Sequence, residues 1–170
     1  MAERFGLEYI DSDGERKTPF IIHRAPLSTH ERMISFLIEI YGGAFPTWMA
    51  PTQVKLIPIS DEVLPYAEEI SSTLRENLFR SAIDTSNESF NKKLRNAITS
   101  KTPNIWILGG KEMENRNITW RRYCVKEQIT VSLDAALGAL EVMRKGRLMD
   151  NFEDVGLPLI RLSLRGPCGG

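Results

Sequence analysis

The sequence predicts an α/β chain in two parts: a partial antiparallel sheet carrying one long helix, then a mixed five-stranded α/β domain. Three observations lead there. Between residues 54 and 110, apolar strand-like runs alternate with helix-period segments over short connections, the pattern of a parallel sheet with crossover helices. Beyond residue 117, two strand-like runs follow one another with no helix between them, so an antiparallel hairpin makes the sheet mixed. Before residue 42, a hairpin and a helix stand without a second layer and cannot close a core of their own.

The elements follow in order. Residues 4–10 (RFGLEYI) and 18–25 (TPFIIHRA) flank Asp11-Ser12-Asp13-Gly14, which predicts an antiparallel hairpin. A helix comes at once: Ser28 and Glu31 have the capping-box spacing, and Met33, Leu37, Ile40 and Tyr41 recur at helical period, with Ile34 and Ile38 widening the stripe, until Gly42-Gly43 stops it. Pro46, Trp48 and Pro51 mark 45–53 as a stiff linker held by its indole, so the first part is 1–44 and the second 54–148. Within the second part the pattern predicts a strand at 54–59, a helix at 62–77 with Val63, Ala67, Ile70 and Leu74 inward, and a strand at 78–84. It continues with a helix at 90–101 carrying Phe90, Leu94 and Ile98 inward, then strands at 104–110, 118–123 and 128–131. The last helix, 132–147, turns Leu133, Leu137, Leu140 and Met143 inward and ends in Arg144, Lys145 and Arg147, where the helix dipole favours cations. Residues 149–170 read as a poorly ordered tail.

Hydrophobic residues make up 42% and charged residues 26%, a globular mix that excludes a disordered or membrane chain. Lys plus Arg equals Asp plus Glu at 22 each, so no global field marks a nucleic-acid or membrane binder, and any basic surface must be local. Cys124 and Cys168 show neither metal-ligand spacing nor a disulfide framework, which fits a reducing cytosol. With no signal-like run and no apolar stretch near the ~18 residues of a span, the expected location is cytoplasmic, with no membrane partner.

Two regions concentrate charge. In FIIHRAPLSTHERMISFLIEIY (20–41), a strand delivers His23 and Arg24 onto the start of a capped helix bearing Glu31 and Arg32. Free helix amides and guanidinium groups converging there make an anion site. The alternative leaves Arg24 and Arg32 solvated or paired with Glu31 and Glu39, and His23 as a core histidine bonded to backbone. In NESFNKKLRNAITSK (87–101), Lys92, Lys93, Arg95 and Lys101 stand against Glu88 alone. On a helix, Lys92 and Arg95 face outward with Asn91 and Asn96, a face that suits phosphates and base edges of RNA, or is simply solvated. GGKEMENRNITWRR brings Lys111, Glu112, Arg121 and Arg122 to the same region, and ligands of parallel sheets collect at strand carboxyl ends. Glu112 there either pairs with a neighbour or accepts from a base amino group. Trp106, in a central strand, reads as core and not as a stacking platform. Gly109-Gly110 is a lone pair and not a phosphate loop, which weakens a small nucleotide-binding protein as a reading.

The run FIIHRAPLSTHER followed by FPTWMAPTQV closely resembles motif 3 and its exit segment in threonyl-tRNA synthetases, class II enzymes that attach threonine to its tRNA. IDTSNESFNKKLRNA and GGKEMENRNITWRR resemble the anticodon-binding domain shared by the threonyl, prolyl, histidyl and glycyl enzymes. The resemblance implies a class II catalytic sheet for residues 1–44 and assigns roles residue by residue. Arg32 matches the catalytic arginine that binds the γ-phosphate of ATP, used with Mg, and steadies the departing pyrophosphate. Ser28, where the family commonly has glycine, and Thr29 match the amino-acid and adenylate pocket. His23 matches one holder of a zinc ion that grips the amino and hydroxyl groups of threonine. Such a metal rejects valine, an isostere that a hydrophobic pocket cannot strongly reject. Asn87, Arg95, Lys101, Glu112 and Arg121 match contacts to the guanine and uracil of a threonine anticodon, with Lys101 replacing an arginine of some relatives.

In the family the other zinc ligands, motif 1, which builds the homodimer, and motif 2 lie upstream of the matching region. His30 and Cys124 do not complete a metal set, so this chain by itself is expected to be inactive. The resulting expectation is the C-terminal portion of a threonine--tRNA ligase, supplying motif 3 and anticodon recognition to the ATP-dependent charging of tRNA(Thr). The alternative is a non-catalytic tRNA- or RNA-binding module derived from such an anticodon domain.

Overall fold

A computed structural model describes residues 1–25, 27–123, 125 and 127–150. It divides into two compact units, Met1–Leu37 and Ile38–Gly170.

In the first unit a 3-10 turn at Glu3–Phe5 precedes β1 (Tyr9–Ile10) and β2 (Arg16–Lys17), paired antiparallel with Tyr9 opposite Lys17. The Asp-Ser-Asp-Gly turn forms as expected: Gly14, at φ +81°, donates its N–H to the Asp11 carbonyl at 2.9 Å, and Lys17 reaches back to the Asp11 and Asp13 carboxylates. The expected second strand at 18–25 does not form. Phe20 is 100% exposed and Ile22 83%, because no strand among the described residues lies beside them to take their backbone groups.

The helix arrives where periodicity places it, as α1 (His30–Tyr41), but with a different cap. Ser28 sits at φ +58°, whereas an N-cap residue is extended; Thr29 takes the role, its Oγ1 accepting from the Arg32 N–H at 3.4 Å. The Ser28–Glu31 capping box is therefore replaced by a cap one residue on. None of the residues of α1 is buried, and Ile34, Phe36, Ile38 and Ile40 are about half exposed.

The second unit runs β3 (Val54–Pro58), a 3-10 turn (Asp61–Val63), α2 (Leu64–Glu76), β4 (Ser81–Ile83), α3 (Phe90–Thr99) and β5 (Asn104–Leu108). It continues through α4 (Gly110–Asn115), β6 (Asn117–Arg122), β7 (Gln128–Ser132) and α5 (Leu133–Gly146). The five strands order as β4-β3-β5-β6-β7, the first three parallel and the last two antiparallel, which is the mixed α/β sheet that the alternation predicts. One element is additional. The strand expected at 104–110 ends at Leu108, because Glu112 folds back onto the Gly109 N–H and starts α4.

The crossover from β3 to β4 and the return from β4 over β3 to β5 run in opposite directions, so right-handed connections put α2 and α3 on opposite faces. On one face Val54, Leu56, Trp106, Leu108, Ile118 and Trp120 pack under α2 and α5. α2 buries Ala67, Ile70 and Leu74 as its period requires, after Val63 in the preceding turn. The buried stripe of α5 is centred on Ala136, Ala139, Leu140 and Met143, where the two alanines let the helix come close, and Leu133 and Leu137 fall at its margin. Trp106 meets Trp120 edge-on at 5.9 Å and is wholly buried, a core residue as expected. On the other face α3 sets Ala97, Phe90, Leu94 and Ile98 on Ile57, Ile105 and Ile107.

A buried polar network closes the end of the sheet where β5 begins. Asn104 donates to Thr47 Oγ1 at 2.7 Å and to the Gln53 carbonyl at 3.0 Å, and its Oδ1 accepts from the Trp120 indole at 3.1 Å. Gln53 donates to the Thr47 carbonyl at 2.8 Å and accepts from the Arg80 N–H at 2.9 Å. Asp150 takes the Thr47 amide at 2.9 Å, the Thr47 hydroxyl at 2.6 Å and Arg122 at 2.6 Å. Two expectations change here. Asp150 is fixed and not part of a loose tail, because a buried carboxylate needs these donors, while residues 151–170 lie outside the described residues. Arg122 faces the core side of β6 and adds nothing to a basic surface.

Asp150→Ala removes the carboxylate from a guanidinium only 6% exposed, and is expected to cost about 3–5 kcal/mol in urea unfolding. A loss of less than about 1 kcal/mol, the range of exposed pairs, would contradict the anchoring role.

Candidate nucleic-acid interface

Strand alternation decides what β6 presents. Ile118, Trp120 and Arg122 point into the core, so Asn117, Thr119 and Arg121 point to the side of α3. Register confirms the side: Arg121 lies opposite Ile105 and Thr119 opposite Ile107, both residues of the α3 cluster. On β7, Gln128 lies opposite Arg121, Thr130 opposite Thr119 and Ser132 opposite Asn117. The apolar cluster stops at β5, and Gln128, Thr130 and Ser132 are exposed, so half of this sheet face is polar and open. Arg121 is half-buried on it, with its Nε out of solvent and without a hydrogen-bond partner among the described residues. A guanidinium placed so, with no carboxylate against it among those residues, suits a phosphate or a base edge.

Glu112 borders the same surface. Its Oε2 accepts from the Gly109 N–H at 3.1 Å and its Oε1 from Thr119 Oγ1 at 2.9 Å, while Thr119 and Thr130 hydroxyls lie 3.2 Å apart. The strand rise puts Thr119 about 7 Å from Arg121 along β6, so the residue that holds the acceptor and the residue that bears the donor are neighbours on one face of the strand. Among the described residues Glu112 pairs with an amide and a hydroxyl and not with a cation, and a carboxylate has further lone pairs to offer.

The β4–α3 loop is shaped by Asp84, whose Oδ1 accepts from the Ser86 N–H at 3.2 Å and the Ser86 hydroxyl at 2.6 Å in an Asx-type turn. Asn87 follows, exposed, beyond the carboxyl end of β4. Burial pushes the Asp84 carboxyl up, but the Ser86 bonds together with Lys55, at 3.6 Å, and Lys93 outweigh it and hold its pKa below the ordinary value.

The cationic face of α3 is thinner than its composition indicates. Glu88 takes both Lys92 at 2.8 Å and the Asn96 amide at 2.7 Å, and Lys93 donates to the Asp84 carbonyl at 3.4 Å. Arg95 stays exposed, with no hydrogen bond or ion pair among the described residues. Lys101 ends the helix at φ +55°, its N–H on the Ile98 carbonyl at 3.0 Å, and its ammonium is bonded to the Gly42 carbonyl. The fold thus sets Arg121 and the Glu112-bonded Thr119 on one face of β6, places Arg95 and Asn87 on α3 and the loop before it, and commits Lys101 elsewhere. Thr119, Gln128 and Thr130 were not singled out by the sequence. Their signal is the period of NITWRR and QITVS, which gathers hydroxyl, amide and guanidinium groups on one side of consecutive strands.

In the first unit His23, Ser28, Thr29 and Arg32 are all exposed. His23 is therefore not a core histidine, and neither Arg24 nor Arg32 pairs with Glu31 or Glu39 among the described residues. Ser28 holds, at φ +58°, the left-handed backbone that glycine adopts most readily, in the position where the resembled family commonly has glycine. Among the described residues no three His, Cys, Asp or Glu side chains converge as a metal site, and Cys124 lies outside them. A lone imidazole does not hold zinc. No helix among the described residues is long and apolar enough to cross a membrane.

Residues 53–143 match the family model described as the anticodon binding domain. The chain is 45% identical over 141 residues to the threonine--tRNA ligase of Geobacillus kaustophilus, covering 82% of this chain and 22% of that protein. It is 46% identical over 151 residues to the threonine--tRNA ligase of Streptococcus pneumoniae, covering 87% and 23% respectively. The chain thus spans less than a quarter of the length of these relatives. Among solved structures, the RNA binding domain of threonyl-tRNA synthetase from Cryptosporidium parvum is similar at a TM-score of 0.70 and 29% identity, over 84% of this chain and 36% of that one. Prolyl-tRNA synthetase from the same organism shares the fold at a TM-score of 0.65 and 18% identity, over 85% and 31%.

The depressed pKa of Asp84 makes its ionised form a source of stability above its unfolded value, and this contribution is lost as pH falls through the folded value. Asp84→Asn is expected to melt below the parent near neutrality, with the two converging below about pH 4. A gap that stays constant across the acid range would contradict this.

Proposed function

The chain belongs to the anticodon-binding domain family and is a homologue of threonine--tRNA ligases, and from that premise we propose that it recognises the anticodon of tRNA(Thr) as part of such a ligase. The observation that carries the reading is the open polar half of the sheet, which presents Arg121 on β6 and, bonded to Thr119 two residues before it on the same face, Glu112. Bases splayed from an anticodon loop expose their Watson–Crick edges, and a donor fork beside an acceptor selects among them by hydrogen-bond pattern. Arg95 and Asn87, on α3 and the loop before it, add contacts to the guanine and uracil of the same anticodon, and Lys101 contributes once its bond to Gly42 opens. With 22 cations balanced by 22 acids, selectivity comes from base edges more than from bulk charge.

In the same proposal residues 54–148 are the anticodon-binding domain, 45–53 the linker and 1–44 a piece of the catalytic domain. There Arg32 meets the γ-phosphate of ATP, Ser28 and Thr29 line the amino-acid pocket, and His23 contributes to threonine recognition. ATP with Mg, zinc, a homodimeric parent and a cytoplasmic location belong to the whole-enzyme part of this proposal.

The test is binding of anticodon-hairpin RNAs. The chain is expected to hold the tRNA(Thr) hairpin more tightly than one with another anticodon, and Arg121→Ala to cost about 1–3 kcal/mol on the former alone. Equal affinity for both hairpins would refute base reading. In a clean preparation the chain is also expected to show no threonine-dependent pyrophosphate exchange, and exchange above background would overturn the division of labour proposed here.

A further inference from the structure

The seat of the Glu112 carboxylate does more than cap α4: besides the Gly109 N–H, the carboxylate takes the Thr119 hydroxyl on β6. Gly109, at φ −119°, has a backbone any residue adopts, so conformational freedom does not account for it. Space does: a Cβ on Gly109 would stand 2.7 Å from Glu112 Oε2 and 3.2 Å from Ile59 Cδ1. The missing side chain is what lets the carboxylate lie over the Gly109 N–H. On the other side, an acceptor-only carboxylate forces Thr119 Oγ1 to spend its one proton on Oε1, so that Thr119 can only accept from Thr130 across 3.2 Å. The chain Thr130 to Thr119 to Glu112 thereby has a single proton direction. Each carboxylate oxygen takes one protein donor and keeps lone pairs for another, on the face of β6 that also carries Arg121.

We propose that Gly109, Thr119 and Thr130 are positioning residues that fix Glu112 as a ready acceptor for the N–H donor of an anticodon base. This rests on the anticodon reading above and deepens it by naming what orients one of its reading groups. Fixing the acceptor beforehand removes the cost of ordering a flexible side chain at the moment of binding.

The experiment compares the affinity of the chain for the tRNA(Thr) anticodon hairpin with its affinity for hairpins lacking one base N–H donor, by inosine for guanine or by methylation of the uridine imino nitrogen. Glu112→Gln and Thr119→Val are each expected to shrink the discrimination at one and the same base by about 3- to 10-fold, the worth of a hydrogen bond. The double variant is expected to lose no more than either alone, and Thr119→Ser, which keeps the hydroxyl, to retain the parent ratio. Gly109→Ala, which leaves both hydroxyls in place, is expected to lose it in the same way and serves should Thr119→Val fold poorly. Parent-like discrimination in Thr119→Val and Gly109→Ala, beside a loss in Glu112→Gln, would overturn the seat and leave the anticodon reading standing. No effect of Glu112→Gln would overturn the seat as well. A parent chain indifferent to the anticodon would sink the functional reading, and this inference with it.

Discussion

α3 buries Ala97, Phe90, Leu94 and Ile98 against Ile57, Ile105 and Ile107, and the crossover that carries it is the one that returns over β3 to β5. β6 and β7 then join by a hairpin, which adds strands to the sheet without laying a helix across them. The next helix, α5, goes to the opposite face and closes the larger core over Ile118 and Trp120. What results is a sheet covered on one side and half covered on the other. The uncovered half carries threonine, glutamine, serine and arginine where a covered strand would need apolar residues. The surface read as functional is a product of topology before any individual residue acts on it.

The register of β6 matters for the same reason. Arg121 and Arg122 are adjacent and chemically identical, yet one faces the open surface and the other the core. Asp150 settles which: its carboxylate, held also by Thr47, takes Arg122 inside, and the indole of Trp120 is bonded to Asn104 on the same side. A slip of one residue would exchange the two arginines and turn Trp120 out to solvent. The buried network at the start of β5 therefore secures the outward guanidinium, although it lies on the far side of the sheet from it.

Periodicity made most of the second unit legible. Val63, Ala67, Ile70 and Leu74 were found inward from spacing alone, because a helix against a sheet has one face to bury. α4 was not legible, since six residues beginning in glycine carry no period; the cue was Glu112 three residues beyond Gly109. The strand expected at 18–25 was read from β-branched and aromatic residues, but a strand exists only with a partner, and composition cannot supply one. In the candidate site, the motif names Arg95, Glu112 and Arg121, whereas the state of each cation depends on tertiary contacts. Lys92 is tied to Glu88, four positions earlier and just ahead of the helix start, while the bond from Lys101 to Gly42 spans 59 positions and leaves no local trace. Asp150 escaped for the same reason, its partners Thr47 and Arg122 being 103 and 28 positions away.

The open half of the sheet is tested most directly by titrating the isotope-labelled chain with the anticodon hairpin of tRNA(Thr) and following its NMR resonances. The account predicts shifts clustered at Thr119, Arg121, Gln128 and Thr130, with Arg95 beside them and with the outer surfaces of α2 and α5 unmoved. Shifts confined to α2 and α5, with Arg121 unaffected at saturation, would contradict it.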